Sequence, residues 1–414
     1  MADIDAKQLI YDWNQHETEP FKPQRPVEFD DETLRDGLQS PSVVDPDIED
    51  KIRILHYMEK LGIQAVDIGL PAAGPRAVED AGRLLKEIVD AGMAISPNCA
   101  ARTLENDVRP IVELSQKYGK AIEAATFIGS SPIRQYAENW DLDFMLKNIE
   151  KAITFAVKHD LPVMFVTEDT TRAHPEHLKM LYTTAIRAGA KRICCADTVG
   201  HATPQGARAI IRFLRRLADS IDPDVKIDWH GHKDRGLSVA TALAAIEAGA
   251  DRVHGTALGI GERCGNAPME QLLVNCKLLG WIDNDLTALP EYVELVSRAT
   301  HTPIPRNYPM VGLDAFRTAT GVHAAAIIKA QRKGEADLAD RVYSSVPASW
   351  LGRKQIIDIG PMSGESNVIY WLEARGIEAH PELVKAIFHK AKSSKTTLTE
   401  AEIQDIIRDF ERRQ

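Results

Sequence analysis

Two histidines, His230 and His232, end a short run, Lys226–His232, in which apolar and polar residues alternate. Side chains two positions apart on a β-strand point to the same face. If this run is a strand, both imidazoles project together, and neutral imidazole is a common ligand of divalent metal ions. The spacing therefore predicts a metal site. The alternative is a pair of partly exposed strand histidines that bind nothing.

Strand-like and helix-like runs alternate around these histidines. The strand-like runs are Val27–Asp30, Ala65–Leu70, Ala94–Asn98, Ile122–Ile128, Val163–Thr167, Arg192–Ala196, Lys226–His230 and Arg252–Ala257. The helical patterns are Glu49–Leu61, Pro75–Ala91, Thr103–Tyr118, Leu142–His159, Glu176–Ala188, Pro204–Ala218 and Leu237–Ala248. Eight strands alternating with helices over roughly 250 residues predict an α/β fold of the (β/α)8 TIM-barrel type. An open doubly wound sheet is the alternative, and the lack of a GxGxxG turn after the first strand disfavours it.

Polar residues follow the predicted strands. Active sites of such barrels lie at the carboxyl ends of the strands, so residues that are far apart in sequence would converge there. The candidates are Asp31, Thr33, Arg35, Asp36, Gln39, Ser130, Ser131, Glu168, Asp169, Arg172, Asp197, Thr198, His230, His232, Glu262, Arg263, Cys264 and Asn266. Acids, arginines and two histidines together at the carboxyl end of the barrel favour a catalytic site, although strand ends are polar in any barrel.

The strand–helix rhythm stops near residue 280. We therefore expect an N-terminal arm over residues 1–25, a catalytic barrel over 26–280 and a smaller, mainly helical domain over 281–414. In the last region, the pattern predicts a small-residue helix, Ala324–Ala330, directly after Gly321-Val322-His323. Thr399 and Glu402 form a capping box that predicts the start of the final helix.

The composition of the chain limits the classes of partner and the cellular compartment that we expect. The net charge of −10 disfavours a broad nucleic-acid-binding surface, and no apolar run reaches membrane-spanning length. The N-terminal sequence lacks the basic and apolar regions of a signal peptide. The five cysteines form no CxxC pair, which indicates reduced thiols in the cytoplasm. We expect neither nucleic acid nor a membrane as a partner.

The first strand end, Asp31–Gln39 (DETLRDGLQ), resembles the signature of the DRE-TIM metallolyase superfamily. His230-Gly231-His232 resembles its metal motif. Gly259–Asn266 (GIGERCGN) resembles a loop of its Claisen-condensing branch, which includes 2-isopropylmalate, homocitrate and citramalate synthases. Gly321-Val322-His323 resembles the lid motif of that branch. The resemblance runs from residue 27 to about residue 372, and it implies a barrel followed by a C-terminal lid that takes part in dimerisation.

The resemblance implies a divalent cation, Zn²⁺, Mg²⁺ or Mn²⁺, held by Asp36, His230 and His232, with Asn266 as an additional ligand. One carboxylate and two imidazoles leave coordination positions open for water and substrate. The keto and carboxylate oxygens of a 2-oxo acid can chelate such an ion, which then polarises the ketone as a Lewis acid.

Four residues are implied to be catalytic. Arg35 would stabilise the developing negative charge, and Glu168 would lie near the reacting acyl group. His323, working with Tyr343, would remove a proton from acetyl-CoA in the barrel of a neighbouring subunit. Three alternatives stay open. Arg35 forms only a structural ion pair with a strand-end acid, Glu168 is a partner for Arg35 or another cation, and His323 is a helix N-terminal histidine without a partner.

Three further residues are expected to bind substrate: Gln39, Thr198 and Arg134. Gln39 belongs to the first-strand signature, and Thr198 resembles the threonine that hydrogen-bonds the substrate carboxylate. Arg134 would contact a second acidic group on the substrate, or it would be an ordinary surface arginine.

The implied function is a metal-dependent acyltransferase that joins acetyl-CoA to a 2-oxo acid in a homodimer with shared active sites. The alternative is a carbon–carbon lyase similar to hydroxymethylglutaryl-CoA lyase. Leu38 favours the lyase, because condensing enzymes usually carry Glu at this position. Cys264 also favours the lyase. The chain stops before the C-terminal regulatory domain of the long family members, so feedback through such a domain is not expected. The acceptor acid and the native metal stay open.

Overall fold

The computed structural model describes residues 9–16, 21–334 and 336–413, and it confirms the predicted fold class. Eight parallel strands form a closed barrel in chain order, in which the first strand pairs with the eighth. The strands are β1 (Glu28–Asp31), β2 (Ala65–Asp67), β3 (Ser96–Arg102), β4 (Glu123–Gly129), β5 (Val163–Glu168), β6 (Arg192–Asp197), β7 (Lys226–Gly231) and β8 (Arg252–Gly255).

Helices surround the barrel, and most of them bury apolar side chains against it. They are α1 (Ile48–Lys60), α2 (Pro75–Asp90), α3 (Glu105–Tyr118), α4 (Pro132–Glu138), α5 (Leu142–Lys158), α6 (Pro175–Ala188), α7 (Pro204–Asp219), α8 (Ser238–Glu247), α9 (Met269–Leu278) and α10 (Leu289–Ala299). In α2, for example, Ala81, Leu84, Leu85 and Ile88 are buried at helical spacing. Several helices begin with proline, whose fixed φ suits the first helical position.

Two differences from the sequence prediction affect the mouth of the barrel. Strand β3 runs to Arg102, beyond the predicted end at Asn98, because the small residues after Asn98 carry little strand signal yet pair with β4. The short helix α4, which carries Arg134, was not predicted. Seven residues are too few to show a helical period, and only Pro132 at its first position indicated the start.

The described residues divide into two compact units, one over residues 21–303 and the other over 9–16 and 304–413. Helix α10 lies beyond residue 280, where the sequence predicts the second domain to begin, yet it belongs to the barrel unit. Its Tyr292 hydroxyl donates to Oδ2 of Asp31 on β1 at 2.5 Å. The predicted arm over residues 1–25 lies partly outside the described residues.

The second unit is mainly helical. Its elements are α11 (Gly321–Arg332), α12 (Ala336–Arg341), α13 (Glu365–Glu373), α14 (Pro381–Ser393), α15 (Glu400–Glu411) and a parallel strand pair, β9 (Arg317–Thr318) and β10 (Ile356–Ile357). The predicted capping box is present, since Thr399 and Glu402 hydrogen-bond reciprocally at the start of α15. The prediction that the helix begins after His323 was wrong, because α11 already begins at Gly321. Within the described residues, no helix is both long and apolar enough to cross a bilayer.

The amino-terminal end of the barrel encloses a network of charged side chains. Asp228 on β7 is fully buried, and its carboxylate accepts from Arg192 Nη1 and Arg252 Nε, each at 2.6 Å. Arg252 also donates to Glu123 at 2.7 Å, and Arg192 to Glu28 at 2.8 Å. We call these five residues the floor network. Their charges are opposed in sign and hydrogen-bonded, which is how buried ions are tolerated.

Candidate active site

Three of the predicted ligands converge at the opposite end of the barrel. His230 lies on β7, His232 lies just beyond its end, and Asp36 lies in the turn after β1. One ligand atom from each of these residues lies within 4.8 Å of the other two. His232 Nε2 is 3.8 Å from Asp36 Oδ2. The strand geometry expected from the His-x-His spacing therefore brings both rings toward the carboxylate.

Asn266 is held beside this group by the glycine-rich loop that follows β8. It pairs with His232 in an isolated β-bridge, and its Nδ2 donates to Asp36 Oδ2 at 2.6 Å. The loop doubles back so tightly that a Cβ on Gly265, where φ is +92°, would lie 1.9 Å from the carbonyl oxygen of Gly259. Glycine is therefore required at position 265, and this close approach helps to bring Asn266 to the carboxylate.

The residues present fit a divalent cation. The Oδ1 atom of Asn266 and the Nδ1 atom of His232 are buried and have no hydrogen-bond partner among the described residues. Burial and, to a smaller extent, the nearby His230 lower the pKa of His232 to about 4, although the charge of Asp36 opposes the shift. His232 is therefore neutral near pH 7 and offers a lone pair, and two imidazoles with a carboxylate suit Zn²⁺ and similar ions.

Arg35 contacts three carboxylates. Its Nε donates to Asp67 Oδ2 at 2.6 Å, its Nη1 to Asp36 Oδ1 at 2.8 Å and its Nη2 to Glu32 Oε1 at 3.2 Å. The structural ion pair that was the alternative for this residue is therefore present. A guanidinium has five N–H donors, so these contacts leave two N–H groups for a substrate oxygen.

Glu168 ends β5 on the same side of the barrel. Burial raises its pKa, although Arg134 and Arg35 oppose the shift. Arg134 Nη2 lies 3.7 Å from Glu168 Oε2, and Arg134 Nη1 lies 3.2 Å from Glu138 on α4. Both Glu168 and Arg134 keep part of their side chains in solvent. A carboxyl group with a raised pKa can exchange protons closer to neutral pH, which suits an acid–base role.

Thr198 and Gln39 complete the predicted set in the barrel. The Oγ1 atom of Thr198 accepts from the N–H of Asp169 at 2.8 Å, so its own proton is available to a ligand. Both residues line a cavity of about 150 Å³. The same cavity is lined by Arg35, Asp36, Glu168, His230 and His232. A larger cavity of about 410 Å³ shares Arg35, Gln39 and Leu70 with it, which extends the site toward the segments after β1 and β2.

A sequence model of the family described as HMGL-like matches residues 26–296, which is more than half of the chain. The chain belongs to the HMGL-like family. The predicted superfamily is thereby confirmed. This HMGL-like chain is 31% identical over 385 residues to homocitrate synthase AksA of Methanopyrus kandleri, a match that covers 92% of this chain and 91% of the relative.

Other relatives carry related names. The HMGL-like chain is 32% identical over 391 residues to a 2-isopropylmalate synthase of Lactococcus lactis subsp. cremoris, covering 92% of this chain and 73% of the relative. Among solved structures, the hydroxymethylglutaryl-CoA lyase of Bacillus subtilis aligns with a TM-score of 0.57 at 20% identity, covering 69% of this chain and 97% of that one. At that identity the structural match supports the barrel fold alone.

The remaining two predicted residues, His323 and Tyr343, lie in the helical unit of the HMGL-like chain. Their rings stack, with centroids 4.0 Å apart and an interplanar angle of 28°. His323 is in the first turn of α11 and is exposed, and Tyr343 is also exposed. The two residues are thus neighbours within that unit, and His323 has a ring partner.

Sequence reasoning gave no role to two buried residues of the HMGL-like barrel, Glu32 and His254. Glu32 Oε2 lies 2.7 Å from His230 Nδ1, and Glu32 Oε1 lies 3.0 Å from His254 Nδ1. Burial lowers the pKa of His230, but the interactions with Glu32 and the charge of Asp36 together raise it overall. One signal was available: Arg252 and His254 are polar residues two positions apart in an otherwise apolar strand, so they share a face.

Proposed function

We propose that this HMGL-like protein is an acyltransferase that condenses acetyl-CoA with a 2-oxo acid, giving a 2-alkylmalate-type product and CoA. Relatives named homocitrate, 2-isopropylmalate and citramalate synthases support this class of reaction. A barrel alone supports no particular reaction, so the proposal depends on the site. The observation that carries it is the group of Asp36, His230 and His232 beside Arg35 at the barrel mouth.

Asp36, His230 and His232 would hold a divalent cation, with Asn266 as an additional donor. When bound, such an ion polarises the ketone of a 2-oxo acid and favours attack on its keto carbon. The two unused N–H groups of Arg35 can donate to the oxygen on which negative charge develops. The free proton of Thr198 can bind the substrate carboxylate and so fix the orientation of the ketone.

The carbon nucleophile requires a base. We assign that role to His323, which takes a proton from the methyl carbon of acetyl-CoA, with Tyr343 stacked on its ring. The resulting enolate carbon bonds to the keto carbon, whose oxygen takes a proton from the protonated His323 and becomes a hydroxyl group. Water then cleaves the thioester and releases CoA. Glu168 lies at the same mouth, where its raised pKa allows it to donate or accept a proton near the acyl group.

We propose that His323 and Tyr343 of one subunit complete the barrel mouth of its partner in a homodimer. Val322 and Tyr343 support this, because they expose 75% and 48% of their surface beside His323. Large apolar side chains exposed together are typical of protein–protein contacts. Size-exclusion chromatography with light scattering tests for the dimer.

A mixing experiment tests whether the sites are shared. Neither Asp36→Asn nor His323→Ala should be active alone. After the two variants are unfolded together and refolded as a mixture, shared sites should restore roughly a quarter of wild-type activity, since half of the dimers are mixed and each has one intact site. A mixture that stays inactive while wild type treated the same way regains activity would refute sharing.

The reaction is tested with purified protein, acetyl-CoA, a divalent ion and a panel of 2-oxo acids, by following the release of free thiol. Oxo acid-dependent thiol release is expected. Cleavage of hydroxymethylglutaryl-CoA without such release would replace the transferase with a lyase, which Leu38 and Cys264 favoured in the sequence. The panel should pair a dicarboxylic acid, 2-oxoglutarate, with a monocarboxylic one, 2-oxoisovalerate. If wild type prefers 2-oxoglutarate and Arg134→Met does not, Arg134 contacts the second carboxylate of that substrate.

We also place the reaction in the cytoplasm. Cys99, Cys194, Cys195 and Cys276 are buried free thiols, which suits a reducing compartment. Fractionation of cells that express the full chain tests this, and recovery in an exported fraction would contradict it.

A further inference from the structure

Directly beneath the candidate metal donors lies a row of buried side chains that the proposed reaction does not use. Glu32 lies between two histidine rings: Oε2 is 2.7 Å from His230 Nδ1, and Oε1 accepts from His254 Nδ1 at 3.0 Å. The other nitrogen of His254, Nε2, donates to Asp228 Oδ2 at 2.9 Å. Each of Glu32, His254 and Asp228 exposes 3% or less of its surface. We call these three residues the orienting row.

We propose that Glu32 is a positioning residue that fixes the ring of His230, and that His254 and Asp228 hold Glu32 in place. This inference rests on the proposed function, because it takes His230 to be a metal ligand. When one nitrogen of a metal-binding histidine donates to a carboxylate, the other presents its lone pair to the metal. With Glu32 at Nδ1, the nitrogen of His230 that remains for a cation is Nε2.

The contacts around Glu32 explain why it stays at this position. Its Oε1 atom also accepts from Arg35 Nη2 at 3.2 Å, so the carboxylate is held from the side as well as from below. Arg35 in turn contacts Asp36, another candidate ligand, at 2.8 Å. Glu32 therefore connects two of the three candidate ligands, and its removal would disturb both the His230 ring and the guanidinium.

A second metal site is the competing interpretation of the same residues. Glu32, His230 and His254 each offer a ligand atom within 4.8 Å of the others. However, both ring nitrogens of His254 donate to carboxylates, one to Glu32 and one to Asp228. A nitrogen that carries a proton has no lone pair for a metal. We therefore assign these residues to the support of the first site.

The test measures metal affinity in the full-length protein, without an assay of turnover. The metal-free protein is titrated with Zn²⁺ in competition with a chromophoric chelator, and Co²⁺ is used to record the visible absorption bands. In Glu32→Gln, the amide can turn its NH₂ group toward His230 Nδ1, in place of the charged oxygen that lies 2.7 Å away in wild type. We expect affinity to fall by about 10- to 100-fold, the range typical when such a partner of a ligand is lost. The Co²⁺ bands should shift as well.

Glu123→Gln is the matched control. Glu123 belongs to the floor network, where it accepts from Arg252 at 2.7 Å. The substitution removes a partly buried charge from the same barrel without changing a neighbour of His230. It should lower the melting temperature and leave the metal affinity and the Co²⁺ spectrum as in wild type. An equal loss of affinity in this control would overturn the positioning role.

The outcomes separate this inference from the proposed function. If wild type binds metal and Glu32→Gln binds it within about twofold, with an unchanged spectrum, the positioning role is wrong while the metal site stands. If wild type binds neither ion, the metal site and the positioning role fail together. Should Glu32→Gln not fold, His254→Gln removes one contact of Glu32, and the affinity should fall severalfold. An unchanged affinity in that variant would overturn the inference.

Discussion

The two ends of this barrel both bury charged side chains, but they satisfy them differently. At the floor, Asp228 accepts from Arg192, Arg252 and His254, and Arg252 reaches on to Glu123. At the mouth, partners are missing: Asn266 Oδ1 and His232 Nδ1 are buried without a hydrogen bond among the described residues. The floor is electrostatically complete, whereas the mouth holds unused donors and acceptors.

This difference separates a structural role from a functional one. A buried charge is tolerated when it is paired and hydrogen-bonded, and a buried polar atom without a partner costs roughly 1–3 kcal/mol. The floor network meets that condition without any ligand. The mouth meets it only when something else supplies the missing contacts, which is why we place ligand binding there. Substitutions at the two ends should therefore separate activity from stability.

The largest effect should come from removing a candidate ligand at the mouth. In Asp36→Asn, we expect kcat/KM to fall by roughly 1,000-fold, equivalent to about 4 kcal/mol, because a metal contributes several kcal/mol to catalysis of this kind. The measurement is oxo acid-dependent thiol release. Asp143→Asn, at an exposed position on α5, is the control and should behave as wild type. Activity within tenfold of wild type in Asp36→Asn would rule out a ligand role for Asp36.

A floor substitution should give the opposite pattern. Arg192→Met leaves Asp228 and Glu28 without one of their cationic partners. Breaking a buried ion pair typically costs about 3–5 kcal/mol, so the free energy of unfolding should fall by about 3 kcal/mol. Urea unfolding measures this, with the exposed Arg298→Met as control. Asp228 keeps its contacts with Arg252 and His254 in this variant, so the substrate KM should stay within about twofold of wild type at a temperature where the variant is folded. A large change in KM would mean that the two ends are not independent.

A smaller effect is expected at Thr198. Thr198→Val removes the hydroxyl that we assign to the substrate carboxylate. A hydrogen bond to a charged group contributes about 1.5 kcal/mol, so the KM for the oxo acid should rise by roughly tenfold. Thr198→Ser keeps the hydroxyl and should restore most of the affinity. The KM values are measured from initial rates, and equal values for the Val and Ser variants would exclude this contact.

The smallest effect concerns pH and the floor. Burial raises the pKa of Glu28, but Lys226 and Arg192 outweigh burial, and the net shift is downward. A carboxyl group whose folded-state pKa lies below its unfolded value stabilises the protein above the unfolded value, and that stability is lost as pH falls through the folded value. Urea midpoints should therefore decline below the ordinary pKa of 4.5, and less steeply in Glu28→Gln. Parallel curves for the two proteins would show that Glu28 does not contribute.

The barrel could be predicted from the sequence because its signals are local. Apolar alternation and helical periods repeat along the chain, and a parallel barrel brings all strand ends together. The approach of Asp36 to His230 and His232 followed from that rule. Strand β2 was predicted too long, because the residues after Asp67 are apolar, yet Gly69 has a φ of +148° and leaves the strand conformation.

The contacts of Glu32 could not be predicted in the same way. Its approach to His254 depends on the register between β1 and β8, in which Asp30 lies opposite His254 and Asp31 opposite Gly255. The register across this junction depends on the whole closed sheet, so it cannot be inferred from the sequence of either strand alone. The orienting row therefore became visible only in three dimensions.

The hydrogen bond from Asn266 to Asp36 joins residues 230 positions apart, across the junction where β1 meets β8. The candidate ligand set is consequently divided between the beginning and the end of the barrel sequence, so a partly folded chain cannot assemble the complete set. Any ion that binds only to the completed set stabilises the closed form by mass action and has no effect on open intermediates. Metal affinity in this architecture is therefore also a measure of how completely the chain has folded.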